Sequence, residues 1–173
     1  PVGFVPAQDK YYLVGIAQLP DAASLDRTEA VARQMTDILL AEPGVESVVA
    51  FPGLSINGFA SIPNAAVVFA MLDPFDQRTT PDLAAGAIAG RVNQKFGAIQ
   101  EGFAAVFPPP PVPGLGAMGG FKMEVQDRTG QGPVALFEAT QKLLAEAGKR
   151  PELIGLFSSF QVNVPQVGLD VDR

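Results

Sequence analysis

Histidine, cysteine and tryptophan are absent from this chain, and tyrosine occurs only twice. Without histidine or cysteine there are no imidazole bases, thiol nucleophiles or disulfides, and the usual zinc ligands are missing. Ser55, Ser158 and Ser159 therefore have no histidine to activate them. Charge is also scarce: 17% of residues are charged, the formal net charge is −6, and no basic cluster exceeds Lys149-Arg150. A phosphate backbone wants a basic stripe, so nucleic acid is excluded as a partner, and an anionic membrane surface is disfavoured for the same reason. The lack of cysteine fits a periplasmic or a cytosolic protein equally.

Two long stretches carry no charge, Val48 to Leu72 and Gly102 to Phe121. A membrane-spanning helix needs roughly 20 apolar residues without strong breakers. Pro52, Gly53, Gly58 and Pro63 interrupt the first stretch, and five prolines interrupt the second. Neither reads as a transmembrane helix. No basic segment followed by an apolar one opens the chain, so no signal peptide is expected, and the abrupt Pro1-Val2-Gly3-Phe4 start reads as a cut into something larger.

What the chain does contain is apolar material, 47% of its residues, enough to bury a core. Tyr11–Leu19 reads as a strand ending at Pro20. Ser24 caps a helix with Thr28, Val31, Ala32, Met35, Ile38 and Leu39 at helical spacing, and Pro43-Gly44 stops it. Val45–Phe51 returns as a strand, and Ala65–Leu72 is a nearly continuous apolar one. Thr80-Pro81-Asp82 predicts a helix start, with Leu83, Ala87, Ile88, Val92 and Phe96 as its apolar face and Gly97 as its end. Gly102–Phe107 is the fourth strand.

Two β-α-β units in this order predict an α+β fold, a ferredoxin-like βαββαβ subdomain of four antiparallel strands with two helices on one face. The proline run Pro108–Pro111 sets a boundary, with a complete subdomain over residues 1–112. Beyond it come a predicted strand at Gly120–Arg128, a helix from Pro133 to Gly148, and strands at Ile154–Phe160 and Gln166–Asp172. Residues 113–173 thus read as a partial βαββ subdomain of similar type, which either pairs with another chain or has its completing half encoded elsewhere.

The irregular stretch Phe51–Asn64 carries Phe51, Leu54, Ile56 and Phe59 between its glycines, prolines and asparagines. Apolar side chains on such a loop line a pocket for greasy ligands; the plainer alternative is a hairpin-like connection covering the core. Enzyme and metal constellations are not found. Asp170 and Asp172 alternate as a solvated strand face would. Asp73, Asp76 and Asp82 sit at turns and a helix start. The glycines from Gly116 to Gly120 precede a strand and make no phosphate cradle. No cofactor is expected, and catalysis is not.

The ordered run Gly3-Phe4-Val5-Pro6-Ala7-Gln8-Asp9, Ile16-Ala17-Gln18-Leu19-Pro20, Val45-Glu46-Ser47-Val48, Phe51 to Phe59 and Asn64 to Leu72 resembles the periplasmic segment after the seventh transmembrane helix of resistance–nodulation–division (RND) efflux pumps. Gly120-Phe121, Leu143 to Ala147 and Pro165-Gln166 extend the likeness through the rest of the chain.

The resemblance implies one complete porter subdomain plus the first half of a second, from a trimeric, proton-driven inner-membrane exporter. Its partners would be hydrophobic substrates, the rest of the pump chain, a periplasmic adaptor and an outer-membrane channel. It places Phe51–Asn64 at the family's switch loop, Val49 and Phe69 in an inner pocket, and Ile16 and Gln18 in an outer cleft. Phe107, Pro109 and Leu115 would floor the cleft, with Phe157 and Ser159 on its opposite wall. Leu54 and Ile56 stand where phenylalanines are common in multidrug members, and Phe157 where many carry arginine, which favours neutral or lipid-like substrates. Two rival readings remain: a stand-alone ferredoxin-like module for small-molecule binding or oligomerisation, and a segment serving intersubunit scaffolding.

Overall fold

A computed structural model describes residues 8–56, 59–110, 123–153, 156, 158, 160 and 162. The chain divides into two units, Pro1–Lys122 and Met123–Arg173.

The first unit runs β1 (Tyr12–Gln18), α1 (Leu25–Leu40), β2 (Val45–Leu54), β3 (Ser61–Leu72), a 3-10 turn (Pro81–Leu83), α2 (Ala85–Phe96) and β4 (Phe103–Phe107). The strands form one antiparallel sheet in the order β2-β3-β1-β4. This is the ferredoxin-like arrangement predicted from the two β-α-β units. Period two divides each strand between two faces. Leu13 and Ala17 of β1, Ala66, Val68, Ala70 and Leu72 of β3 and Val106 of β4 turn toward the helices. There they meet Val31, Met35 and Leu39 of α1 and Ile88, Val92 and Phe96 of α2, so both helices cover the same face.

Local chemistry sets the helix ends. The Ser24 side chain accepts from Arg27 N at the start of α1, as its position before the apolar stripe suggests. The α2 start differs from expectation. Pro81 begins a 3-10 turn rather than the helix, and Thr80 makes no side-chain capping bond. The first α-helical amide, Ala85 N, is instead satisfied by Asp9 Oδ2 at 2.8 Å, a carboxylate from before β1. Asp9 also meets buried Arg78 through both oxygens, at 3.0 and 3.1 Å. Arg78 Nε also donates to Asp73 O at 2.7 Å and Nη1 to Leu83 O at 3.0 Å.

The interval expected to be irregular is shorter than Phe51–Asn64. β2 continues to Leu54 and β3 begins at Ser61, because Gly53 at φ +81° lets the edge strand bulge and continue. The hairpin alternative therefore describes the backbone on both sides of the tip, and Ser55 N donates to Ala60 O at 2.9 Å to close it.

In the second unit α3 spans Pro133–Ala147, as predicted. The strand expected at Gly120–Arg128 is overturned where it is described. Met123–Arg128 forms no strand. The following residues fold around Asp127, whose carboxylate accepts from the amides of Thr129, Gly130 and Gly132. The strand expected at Ile154–Phe160 falls mostly outside the described residues, and that at Gln166–Asp172 wholly outside them.

Candidate functional site

Opposite the helices the sheet presents a face built by cross-strand pairing. The register aligns Val49, Phe69, Val14 and Phe107 in one row across all four strands. A second row runs Phe51, Val67, Ile16 and Ala105, and a third Ala65, Gln18 and Phe103. None of these side chains is charged. Six predicted site residues, Ile16, Gln18, Val49, Phe51, Phe69 and Phe107, are thus brought together on one surface.

Exposure varies across this surface. Val14, Ile16 and Val67 are buried, whereas Val49 is 49% exposed, Phe51 43% and Phe103 44%. The Phe51 and Phe69 rings meet edge-on, with centroids 6.0 Å apart and planes at 82°. Gln18 is the polar member. Its Nε2 donates to Asn64 O at 3.2 Å and Leu19 O at 3.3 Å, which pins the amide to the backbone at the strand end.

The other predicted residues divide. Leu54 pairs with Ser61 at the end of the hairpin, and Ile56 is half-buried beyond it. Phe59 is 64% exposed and holds φ +54°, a left-handed conformation uncommon for an aromatic residue. Pro109 is buried just after β4, where Pro110 O accepts from Lys10 Nζ at 2.8 Å. Leu115, Phe157 and Ser159 lie outside the described residues.

Sequence reading missed Val14, Phe103 and Ala105 as members of this face. Period two on β1 and β4 carries that signal. A groove of about 440 Å³ lies elsewhere, on the helix side between α1 and β2. Glu29, Arg33, Thr36, Asp37 and Pro52 are among its lining residues, and it holds none of the predicted ones.

Charge is organised away from the apolar face. Buried Glu42, just past α1, bonds Arg91 and Lys95 of α2, the latter at 2.5 Å. Burial pushes its carboxyl up, but the hydrogen bonds and charges of Lys95 and Arg91 together outweigh this and hold it below its ordinary value. Among the described residues no group of three or more carboxylates is placed to hold a metal ion. The apolar face offers contact area, aromatic edges and one amide. It offers no acid, base or nucleophile.

All 173 residues match the model of the AcrB/AcrD/AcrF family. The chain belongs to that family. The expected likeness to RND efflux pumps is borne out. The multidrug export protein AcrF of Escherichia coli is 33% identical over 176 residues, covering 100% of this chain. The toluene efflux pump membrane transporter TtgB of Pseudomonas putida is 32% identical over 174 residues, and the solvent-resistant pump membrane transporter SrpB of the same species 28%, each covering 99% of this chain. The chain spans only 16–17% of the length of AcrF and TtgB. Among its described residues, no helix is long and apolar enough to cross a membrane.

Proposed function

We propose that this chain is a periplasmic, substrate-handling part of a proton-driven RND exporter, in which hydrophobic compounds bind weakly and are passed on as a cleft opens and closes. The observation that carries this reading is the uncharged face, where six of the residues implied by the family likeness share two adjoining rows and one neighbouring position. Binding there would rest on apolar burial and dispersion, with Gln18 the polar contact. The toluene and solvent in the names of two relatives support small neutral substrates.

In this reading residues 1–112 form a complete porter subdomain and 113–173 the first half of a second. The rest of the pump chain supplies the membrane part and the proton pathway. The full assembly is a trimer that engages an adaptor and an outer-membrane channel, and the segment performs no chemistry on what it carries.

The test is Val49→Asp in the full-length transporter, with efflux of Nile red as the readout. Val49 is half exposed, so the carboxylate is accommodated by the fold while charging the face. Efflux should fall about tenfold at unchanged protein level, the equivalent of about 1.4 kcal/mol of lost apolar contact and desolvation. Wild-type efflux would remove the face from the substrate path.

A further inference from the structure

The β2–β3 register shifts at two places, and the wider shift lies toward the hairpin end. Pro52 pairs with Ala66 and Leu54 with Ser61, so Gly53 alone stands opposite Ile62, Pro63, Asn64 and Ala65. On the other side, β3 stays joined to β1 through this break: Leu19 N donates to Asn64 O at 2.8 Å, and Asn64 Nδ2 donates to Leu19 O at 3.2 Å. Leu54, Ile56 and Phe59 lie beyond the break, where Leu54 still pairs with Ser61 but the register between β3 and β1 has ended.

The first turn of α1 reaches both strands there. Thr28 is 0% exposed, and its hydroxyl donates to Pro63 O at 2.6 Å, linking the helix to the β3 side. One turn back, Leu25 lies beside Gly53 on the β2 side, where an added Cβ would come within 3.0 Å of Leu25 Cδ1. Gly53 sits at φ +81°, so the edge strand turns at this point of contact. Pro63 has no amide to offer any partner, so its carbonyl is the backbone group it presents to the helix.

We propose that Thr28 is a positioning residue: through Pro63 it sets the hairpin end bearing Leu54, Ile56 and Phe59 against the apolar face, and so sets which substrate sizes are handled. This rests on the face being part of the substrate path. Thr28 itself touches no substrate. Its hydroxyl acts by tying the helix to a strand that is bonded to β1 at Asn64 but whose ladder to β2 is interrupted there.

The experiment compares Thr28→Val and Thr28→Ser in the full-length transporter, reading efflux of Nile red and of the bulkier rhodamine 6G, with Ile56→Asp alongside. Valine keeps the volume and removes the donor; serine keeps the donor. Thr28→Val should change the ratio of the two efflux rates about three- to tenfold, the weight of one buried hydrogen bond, and Thr28→Ser should restore it. An unchanged ratio in Thr28→Val, with Ile56→Asp impaired, overturns the positioning role alone. A fall of both dyes in step with the amount of folded transporter assigns Thr28 to stability and overturns it as well. Wild-type efflux in Ile56→Asp overturns the substrate path itself.

Discussion

Arg78 shows how much a single side chain contributes to this fold. It is buried, its guanidinium meets Asp9, Asp73 O and Leu83 O, and its charge lies 5.0 Å from the centre of the Phe75 ring. Asp9 in turn closes the α2 start. Removing the carboxylate leaves a buried cation short of its partner, a defect more damaging than the pair is stabilising. Asp9→Ala should lower stability by about 2–3 kcal/mol, tempered because Asp9 is a third exposed, and chemical denaturation of this chain would measure it. A change below about 0.5 kcal/mol would make the pair ornamental. Nothing in the sequence pointed to this contact, because 69 residues separate its members.

At the scale of elements, the strands and helices of the first unit followed their periodicities, and their contacts with one another did not. α1 was legible from Ser24 to Leu39 because cap and stripe agree. The α2 start was not, since its cap comes from Asp9 rather than Thr80. The candidate face was half legible. Phe51, Val49 and Phe69 were marked by resemblance, while Val14 and Phe103 join them only once the register is known.

Asn93 makes the same point. In sequence it is an ordinary helical residue, yet its side chain donates to Val106 O at 2.7 Å and accepts from Val106 N at 2.8 Å. It thereby occupies backbone groups on the outer edge of β4, a terminal strand of the sheet. Asn93→Ala should cost about 1–2 kcal/mol and promote concentration-dependent self-association through the uncovered edge, readable by light scattering. A variant that loses stability but remains monomeric would limit Asn93 to bonding alone.

The whole molecule has a pH response dictated by what it lacks. With no histidine, no imidazole titrates between pH 5 and 8. Glu42, exposed Asp82 and exposed Asp127 are all held below their ordinary values, Glu42 by Lys95 and Arg91 against burial, Asp82 by the Thr80 hydroxyl, and Asp127 by the Gly132 and Thr129 amides. A carboxylate depressed in the fold stabilises it above the unfolded value and loses that contribution as pH falls through the folded value. The melting temperature should therefore be level from pH 7 to about 5 and decline below about 4.5. Glu42→Gln should lower the plateau and flatten part of the acid decline; an unaltered acid limb would show that Glu42 is uncoupled from folding.

The bulge at the start of β2 has a consequence for descent. Val45 pairs with Leu72 and Ser47 with Met71, so Glu46 is the residue the ladder does not count. A lineage could shed Glu46 and keep every later partner. A single insertion or deletion between Ser47 and Pro52 would instead turn Val49 and Phe51 toward α1 and bring Val48 and Ala50 out in their place. For this edge strand, inheritance must preserve a count of residues as faithfully as it preserves their greasiness.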